Sequence, residues 1–307
     1  MRTSTNRRTP APRSSRTSSS PLAVPWPTVR IRTTGRLPAP GSPDTPTGPH
    51  RRAVRNIDGT EPQGGTRTMV NRDTAALDDP VGGSLRGHHA HLARRLGRAA
   101  TYLPDVATFT TLPAEPKPDD WAELAHLLGR GGLADLFSHP ATPPPDWEPV
   151  FTLDGRQMIL PDTGPAAPSA SEADSGVVDS GVVELGADDV PEMLDLVTRT
   201  RPGPFQPRTH ELGTYLGVRD NGTLVAMAGE RLRPPGWTEI SAVCTAPEAR
   251  GRGHAAVLVE ALVARITARG ERPFLHATET NTGAIALYRR LGFTTRGPVT
   301  FRGFRIP

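Results

Sequence analysis

The stretch "AVCTAPEARGRGHAAVLVEALVARITARG", residues 242–270, constrains the fold more than any other part of the chain. A β-branched run gives way to a turn holding Gly251 and Gly253. A run with Val259, Leu262, Val263 and Ile266 at i, i+3, i+4 and i+7 follows. That order predicts a strand, a tight turn and a helix buried along one face. Unpaired N–H groups and the helix dipole make such a turn a cradle for a pyrophosphate, here over residues 251–256. The glycines let a ligand approach without a Cβ in the way, and Arg250 and Arg252 add positive charge. The competing reading is an ordinary strand-to-helix turn with solvated arginines.

Gly251, Gly253 and Ala256 also satisfy the dinucleotide fingerprint G-x-G-x-x-A, which needs to sit in a first βαβ unit. Here the turn follows three strands that read as antiparallel, and 57 residues remain from Gly251 to Pro307. Glu271 precedes the strand "PFLHA" where the fingerprint wants an acid at a strand's end. No G-K-[ST] follows the turn, so a nucleoside-triphosphate loop fails as well.

The surrounding sequence divides by composition. Residues 1–68 hold twelve Arg against three acids, about +9, which leaves about −5 for the remainder of a chain whose net charge is +4. The basic balance therefore belongs to an Arg/Ser/Pro-rich tail that reads as disordered. It is no argument that the folded part binds nucleic acid. Organised sequence begins just after Met69, the candidate true start, so that the tail need not belong to the native protein. Arg7-Arg8 lacks the apolar stretch of a twin-arginine signal, and a transit peptide is the other reading of the tail. With no membrane-length apolar run and a single cysteine, Cys244, a reducing cytoplasm is the expected location. His88, His89 and His91 lack a companion carboxylate or cysteine, so a solvated face is expected there and no metal.

Residues 80–160 read as a smaller α/β N-terminal domain, 161–176 as a Pro/Ala/Ser/Gly linker, and 177–307 as the principal domain. In the first, "HAHLARRLGRAATYL" and "DDWAELAHLLG" read as helices, the latter capped by Asp119 or Asp120, and "LADLFS" as a strand. "WEPVFTLDGRQMIL" reads as strands turning at Asp154-Gly155. In the second, "VVELG" is a strand, "ADDVPEMLDLVTRT" a helix, and "TYLGVRDNGTLVAMAGERLR" a hairpin turning at Asp220-Asn221-Gly222. "GWTEISAVCT" leads into the glycine turn. "PFLHA", "NTGAIALYRRLG" and "FTTRGPVTFRGF" close the chain as strand, helix and strands.

With both segments in view, the chain resembles the GNAT superfamily of N-acetyltransferases over roughly residues 177–307. Their acetyl-CoA motif [R/Q]-x-x-G-x-[G/A] is matched by Arg250, Gly253 and Ala255. Their second motif is matched by Asn281, Ala284, Leu287, Tyr288, Gly292 and Phe293 of "NTGAIALYRRLGF". The resemblance implies an α/β (α+β) fold with a mixed, mostly antiparallel central sheet flanked by helices, in the order β-α-β-β-β-α-β-α-β. By the same resemblance, residues 80–160 are similar in place to the degenerate first half that some tandem members carry, although no motif there supports binding.

The resemblance also implies acetyl-CoA as co-substrate, without a metal. Val243, Cys244 and Thr245 would run beside the pantetheine arm. Residues Arg250, Gly251, Arg252, Gly253, His254 and Ala255 would hold the pyrophosphate, and Asn281 would bond the arm or cap its helix. Tyr288 is the implied general acid for the departing thiolate, against a reading as a core ring. Glu239 is the first candidate for general base, because alternation places it on the face of Ser241 and Val243. Glu230 and His276 are its rivals. Cys244 lacks a convincing His partner and reads as packing, not as a nucleophile. Phe205, in the Pro-rich loop 201–210, is the candidate apolar wall for the acceptor, with Arg208 or Glu211 as anchor.

The expected activity is direct transfer of an acetyl group from acetyl-CoA to a primary amine on a small molecule or peptide. The alternative is a non-catalytic acyl-CoA-binding module. A homodimer is compatible with either.

Overall fold

The structure, a computed structural model, describes residues 74–161 and 181–307. The basic tail, Met69 and nearly all of the expected linker lie outside the described residues.

An eight-stranded sheet organises the molecule. Its strands are β4 (Leu133–Phe137), β5 (Glu148–Ile159), β6 (Val182–Leu185), β7 (Tyr215–Asp220), β8 (Thr223–Glu230), β9 (Trp237–Thr245), β10 (Arg272–Thr278) and β11 (Thr294–Arg305). They lie in the order β4-β11-β5-β10-β9-β8-β7-β6, and β9 and β10 form the parallel pair in an otherwise antiparallel sheet. A small sheet of β1 (Ala93–Leu96), β2 (Ala99–Tyr102) and β3 (Thr110–Thr111) packs beside it.

Five α-helices complete the described residues: α1 (Pro80–Arg86), α2 (Pro118–Leu128), α3 (Val190–Thr200), α4 (His254–Ala268) and α5 (Thr282–Arg290). Each buries the residues that its periodicity dictates. α3 sets Met193, Leu196 and Val197 against the sheet, and α4 sets Leu258, Val259, Leu262 and Ile266. These side chains join Leu216, Met227, Ile240 and Leu275 in one core. Burying each is worth about 1.5–3 kcal/mol over leaving it in water.

Two sequence expectations need correction. "HAHLARRLGRAATYL" is not a helix but the β1–β2 hairpin, which turns where Gly97 takes φ +51°. Its apolar residues serve two cores, with Leu92, Ala100 and Tyr102 in one and Ala99 in another. Asp154-Gly155 is no hairpin turn, because β5 runs straight through it. A Cβ on Gly155 would stand 2.6 Å from the Phe301 ring and 2.8 Å from the Ala277 carbonyl oxygen. The glycine is needed for close packing, not for a bend.

The expected boundary near residue 161 falls inside a shared sheet. β5, from the first segment, is hydrogen-bonded between β10 and β11 of the second. β4 then pairs with the outer edge of β11. The first segment also contributes Leu77, Val81, Leu85 and Phe109 to a core completed by Trp237, Phe274 and Phe301.

α2 begins after Lys117, with Asp120 in its first turn accepting the Lys117 N–H at 2.6 Å, and ends at Gly129 with φ +80°. The hairpin turn at Asn221 and Gly222 has φ +49° and +82°, as the sequence predicts. No helix among the described residues is long and apolar enough to cross a membrane.

Candidate active site

β9 and β10 run paired from Trp237–Arg272 as far as Ile240–Leu275, and then part. A bulge drives the separation. β9 has one residue more than β8 between the Gly229–Ser241 and Met227–Cys244 pairs, and Ala242 sits in the left-handed region at φ +52°. The β10-facing edge of β9 beyond Ile240 is therefore left without a strand partner. A cavity of about 850 Å³ opens in the gap, lined by residues 240–245 of β9, by His276, Ala277 and Thr278 of β10, and by the turn into α4. The bulge also overturns simple alternation along β9: Glu239 and Ser241 share a face with Cys244, not with Val243.

The glycine turn forms one wall. Gly251 and Gly253 have φ +78° and +84°, and a Cβ on either would meet nothing within 4 Å. The N–H groups of residues 251–255 have no acceptor among the described residues. They stand at the N-terminus of α4, where Gly253 is the N-cap residue and no side chain caps the helix. Such a set of donors, with the dipole behind it, fits a pyrophosphate without rearrangement. Arg250, His254 and Ala255 line the same wall. Arg252 does not: its guanidinium reaches Asp220 at 3.1 Å and the Glu248 carbonyl. Val243, Cys244, Thr245 and Asn281 all line the cavity. The Asn281 side chain caps α5 by accepting the Ala284 N–H at 3.2 Å.

Tyr288 projects from α5 into the same cavity. Its ring is buried against Phe293, with centroids 6.2 Å apart, while its phenol oxygen has no hydrogen-bond partner among the described residues. Burial pushes the phenol above its ordinary pKa, so it is fully protonated at neutral pH. Cys244 lies close by, and burial raises its thiol to about 11. It stays a thiol at neutral pH, a poor nucleophile.

Glu239 lies elsewhere than expected. It is wholly buried and does not line the cavity. Arg231 grips its carboxylate with Nε and Nη2 at 2.9 and 2.6 Å, and His276 Nδ1 lies 2.7 Å from Oε1. Burial opposes ionisation, but the Arg231 charge and hydrogen bonds, helped by His276, hold the carboxyl at about 2. A carboxylate so occupied is a weak base with no path to a substrate, so the geometry suits it to positioning Arg231 and His276, which do line the cavity.

The His276 ring is held neutral by burial, against the pull of Glu239. Its Nδ1–H donates to Glu239 and its Nε2 accepts from Gln157 at 3.0 Å. Arg296 fixes the Gln157 amide by donating to its Oε1 at 2.9 Å. Glu230, the other rival base, is buried in a 2.8 Å ion pair with Arg269, away from the cavity.

Phe205 is also displaced from its expected place. It is buried in the main core with its ring centroid 5.6 Å from that of Tyr215, and it does not line the cavity. Arg208 and Glu211 pair with each other on the surface. The residues that do wall the inner end are Phe137 of β4, Leu153 of β5 and Phe301 of β11, together with Arg231. Sequence reading passed over them because no motif marks them. Two come from a segment that the composition set apart.

Comparisons with known proteins place the chain in a family. The FR47-like protein family matches residues 215–301, which hold β7 through most of β11. Among curated proteins, none matches the sequence. Among solved structures, the chain is similar to a GCN5-related N-acetyltransferase from Kribbella flavida, at 19% identity over 79% of this chain and 97% of that one, with a TM-score of 0.44. It is similar at 22% identity to the ribosomal-protein-S18-alanine N-acetyltransferase of Escherichia coli, over 41% of this chain and 92% of that one, with a TM-score of 0.34. A GNAT-family protein from Novosphingobium aromaticivorans is 39% identical over 76% of this chain and 99% of its own, with a TM-score of 0.65. With that identity over the whole of a GNAT-family relative, on the sheet and glycine turn described above, this chain belongs to the GNAT family of acyltransferases.

Proposed function

We propose that this chain transfers an acetyl group from acetyl-CoA to a primary amine by direct attack. One observation carries the reading: the unpaired N–H groups of residues 251–255, the unpartnered edge of β9 and the free phenol of Tyr288 line a single cavity. Acetyl-CoA supplies the activated acyl group. The chain's own residues do the rest. The 251–255 amides and Arg250 hold the phosphates. The backbone of Val243, Cys244 and Thr245 aligns the arm, and an N–H of that stretch is suited to polarise the thioester carbonyl. The amine nitrogen forms the new C–N bond as the C–S bond breaks. Tyr288 passes its proton to the leaving sulfur, and the proton that the amine nitrogen loses returns through water to the Tyr288 oxygen, which restores the phenol.

Glu239 positions Arg231 and His276 in this scheme and abstracts no proton. The amine must then arrive neutral. Arg201 lines the cavity, and no Asp or Glu lines it among the described residues. Nearby positive charge and desolvation both lower an amine's pKa, which favours the neutral form. We also infer that residues 74–159 and 182–305 act as one catalytic unit, since β5 and β4 complete the sheet that carries the cavity.

Thiol release from acetyl-CoA, measured on the full chain across a panel of primary amines, tests this reading. Amine-dependent release that collapses in Tyr288→Phe supports it. Tight CoA binding with no amine-dependent release overturns it in favour of a binding module.

A further inference from the structure

The two ends of the cavity differ in chemistry. Arg250 and the free amides lie at one end. At the other, where β9 and β10 part, the walls are Phe137, Leu153, Ile240 and Phe301 around the edge of the His276 ring. The Phe137 centroid lies 4.7 Å from that of Phe301 and 4.9 Å from that of His276. The polar groups at this end are already engaged. Glu239 and Gln157 take both ring nitrogens of His276. The Arg231 charge is met by Glu239 within a layer whose rings, Phe109 and Phe137, lie 5.0 and 4.9 Å from the guanidinium carbon.

A second ammonium on the acceptor would enter this end at a loss. Among the described residues no carboxylate lines the cavity to receive it. The Phe137 ring, which would otherwise attract a cation, is already covered by the Arg231 guanidinium. An apolar group gains the contact of four hydrophobic walls there.

Resting on the acetyl-transfer reading, we propose that the acceptor is a monoamine bearing an apolar group and no second positive charge. Residues of β4 and β5 select it. Phe137 and Leu153 supply two walls of the acceptor end, and Gly155 lets the Phe301 ring close over β5 as the third.

The test uses the full chain with saturating acetyl-CoA and four amines: 2-phenylethylamine, 3-methylbutylamine, methylamine and spermidine. The expected result is kcat/KM for 2-phenylethylamine at least tenfold above that for spermidine. The ratio of kcat/KM for 2-phenylethylamine to that for methylamine should also fall at least fivefold in Phe137→Leu. That ratio does not depend on how much of the variant is folded. Preference for spermidine, or an unchanged ratio in Phe137→Leu, overturns the substrate class and leaves acetyl transfer standing. Acetyl-CoA bound with none of the amines turned over overturns the transfer reading, and this proposal with it.

Discussion

The guanidinium of Arg231 and the carboxylate of Glu239 meet in a two-pronged ion pair, at 2.6 and 2.9 Å, with Arg231 7% exposed and Glu239 0%. Antiparallel pairing of β8 and β9 sets them opposite each other, since the Arg231 N–H donates to the Glu239 carbonyl at 3.0 Å. Removing one partner of such a pair strands the other charge in the interior. Glu239→Gln should therefore lower stability by about 3–5 kcal/mol, measured by urea denaturation. The double variant Arg231→Met/Glu239→Leu should recover most of the loss. Unchanged stability with activity abolished would instead mark Glu239 as a base.

Tyr288 is set apart from the chain's other buried tyrosine at this sheet. Tyr215 packs in the core behind Gly229, whereas Tyr288 offers its phenol to the cavity. Tyr288→Phe keeps the ring packing on Phe293 and removes only the proton donor. The expected outcome is a fall in kcat of about ten- to a thousandfold with CoA affinity near normal. Pre-steady-state thiol release checks it, and equal turnover in the variant would exclude the acid role.

Gly253 tests the cradle. In the free protein its missing Cβ faces open space, so Gly253→Ala causes no clash. At φ +84°, however, alanine is strained by about 1–2 kcal/mol. The methyl would also stand where a ligand meets the 251–255 amides. A modest drop in melting temperature should accompany at least a tenfold weaker Kd for CoA by calorimetry. An unaltered Kd would place the pyrophosphate elsewhere.

Local signals were legible and non-local ones were not. Asp220-Asn221-Gly222 specifies its hairpin because the turn residues themselves need positive φ. Gly253 and Asn281 announce helix starts for equally local reasons. Gly155 misleads because its purpose is contact with Phe301, 146 positions away, and no local pattern records that. For the same reason β5 reads as part of a separate domain, although it lies between β10 and β11. Phe137 and Leu153 were invisible as site residues until the strand order placed them on the cavity. Glu239 was found for a sound reason, its strand. Its pairing with Arg231, just past the end of β8, is not legible in the sequence, because a pair eight residues apart across a loop is not a recognisable motif.

His89 couples the first segment to pH. Its Nε2–H donates to the Leu212 carbonyl at 2.9 Å, and the Tyr102 hydroxyl donates to Nδ1 at 3.0 Å, an arrangement that requires the neutral ring. Burial outweighs the Leu212 carbonyl and lowers its pKa from 6.5 to about 4. Between those values the unfolded chain binds the proton that the folded chain refuses. Stability should therefore fall as pH drops from 6.5 towards 4, and change no further below it on this account. The loss attributable to His89 is about 2 kcal/mol by pH 5. Asp135 acts in the opposite sense. Burial raises its carboxyl from 3.8 to about 6, so protonation favours the folded state as pH falls through that window. The wild-type slope alone is therefore ambiguous, and the comparison with His89→Gln is not. Urea denaturation at pH 7 and pH 5 should show the variant losing less stability than the wild type, by about 2 kcal/mol. Equal losses would mean that His89 titrates normally and that the Tyr102–His89–Leu212 chain does not hold in solution.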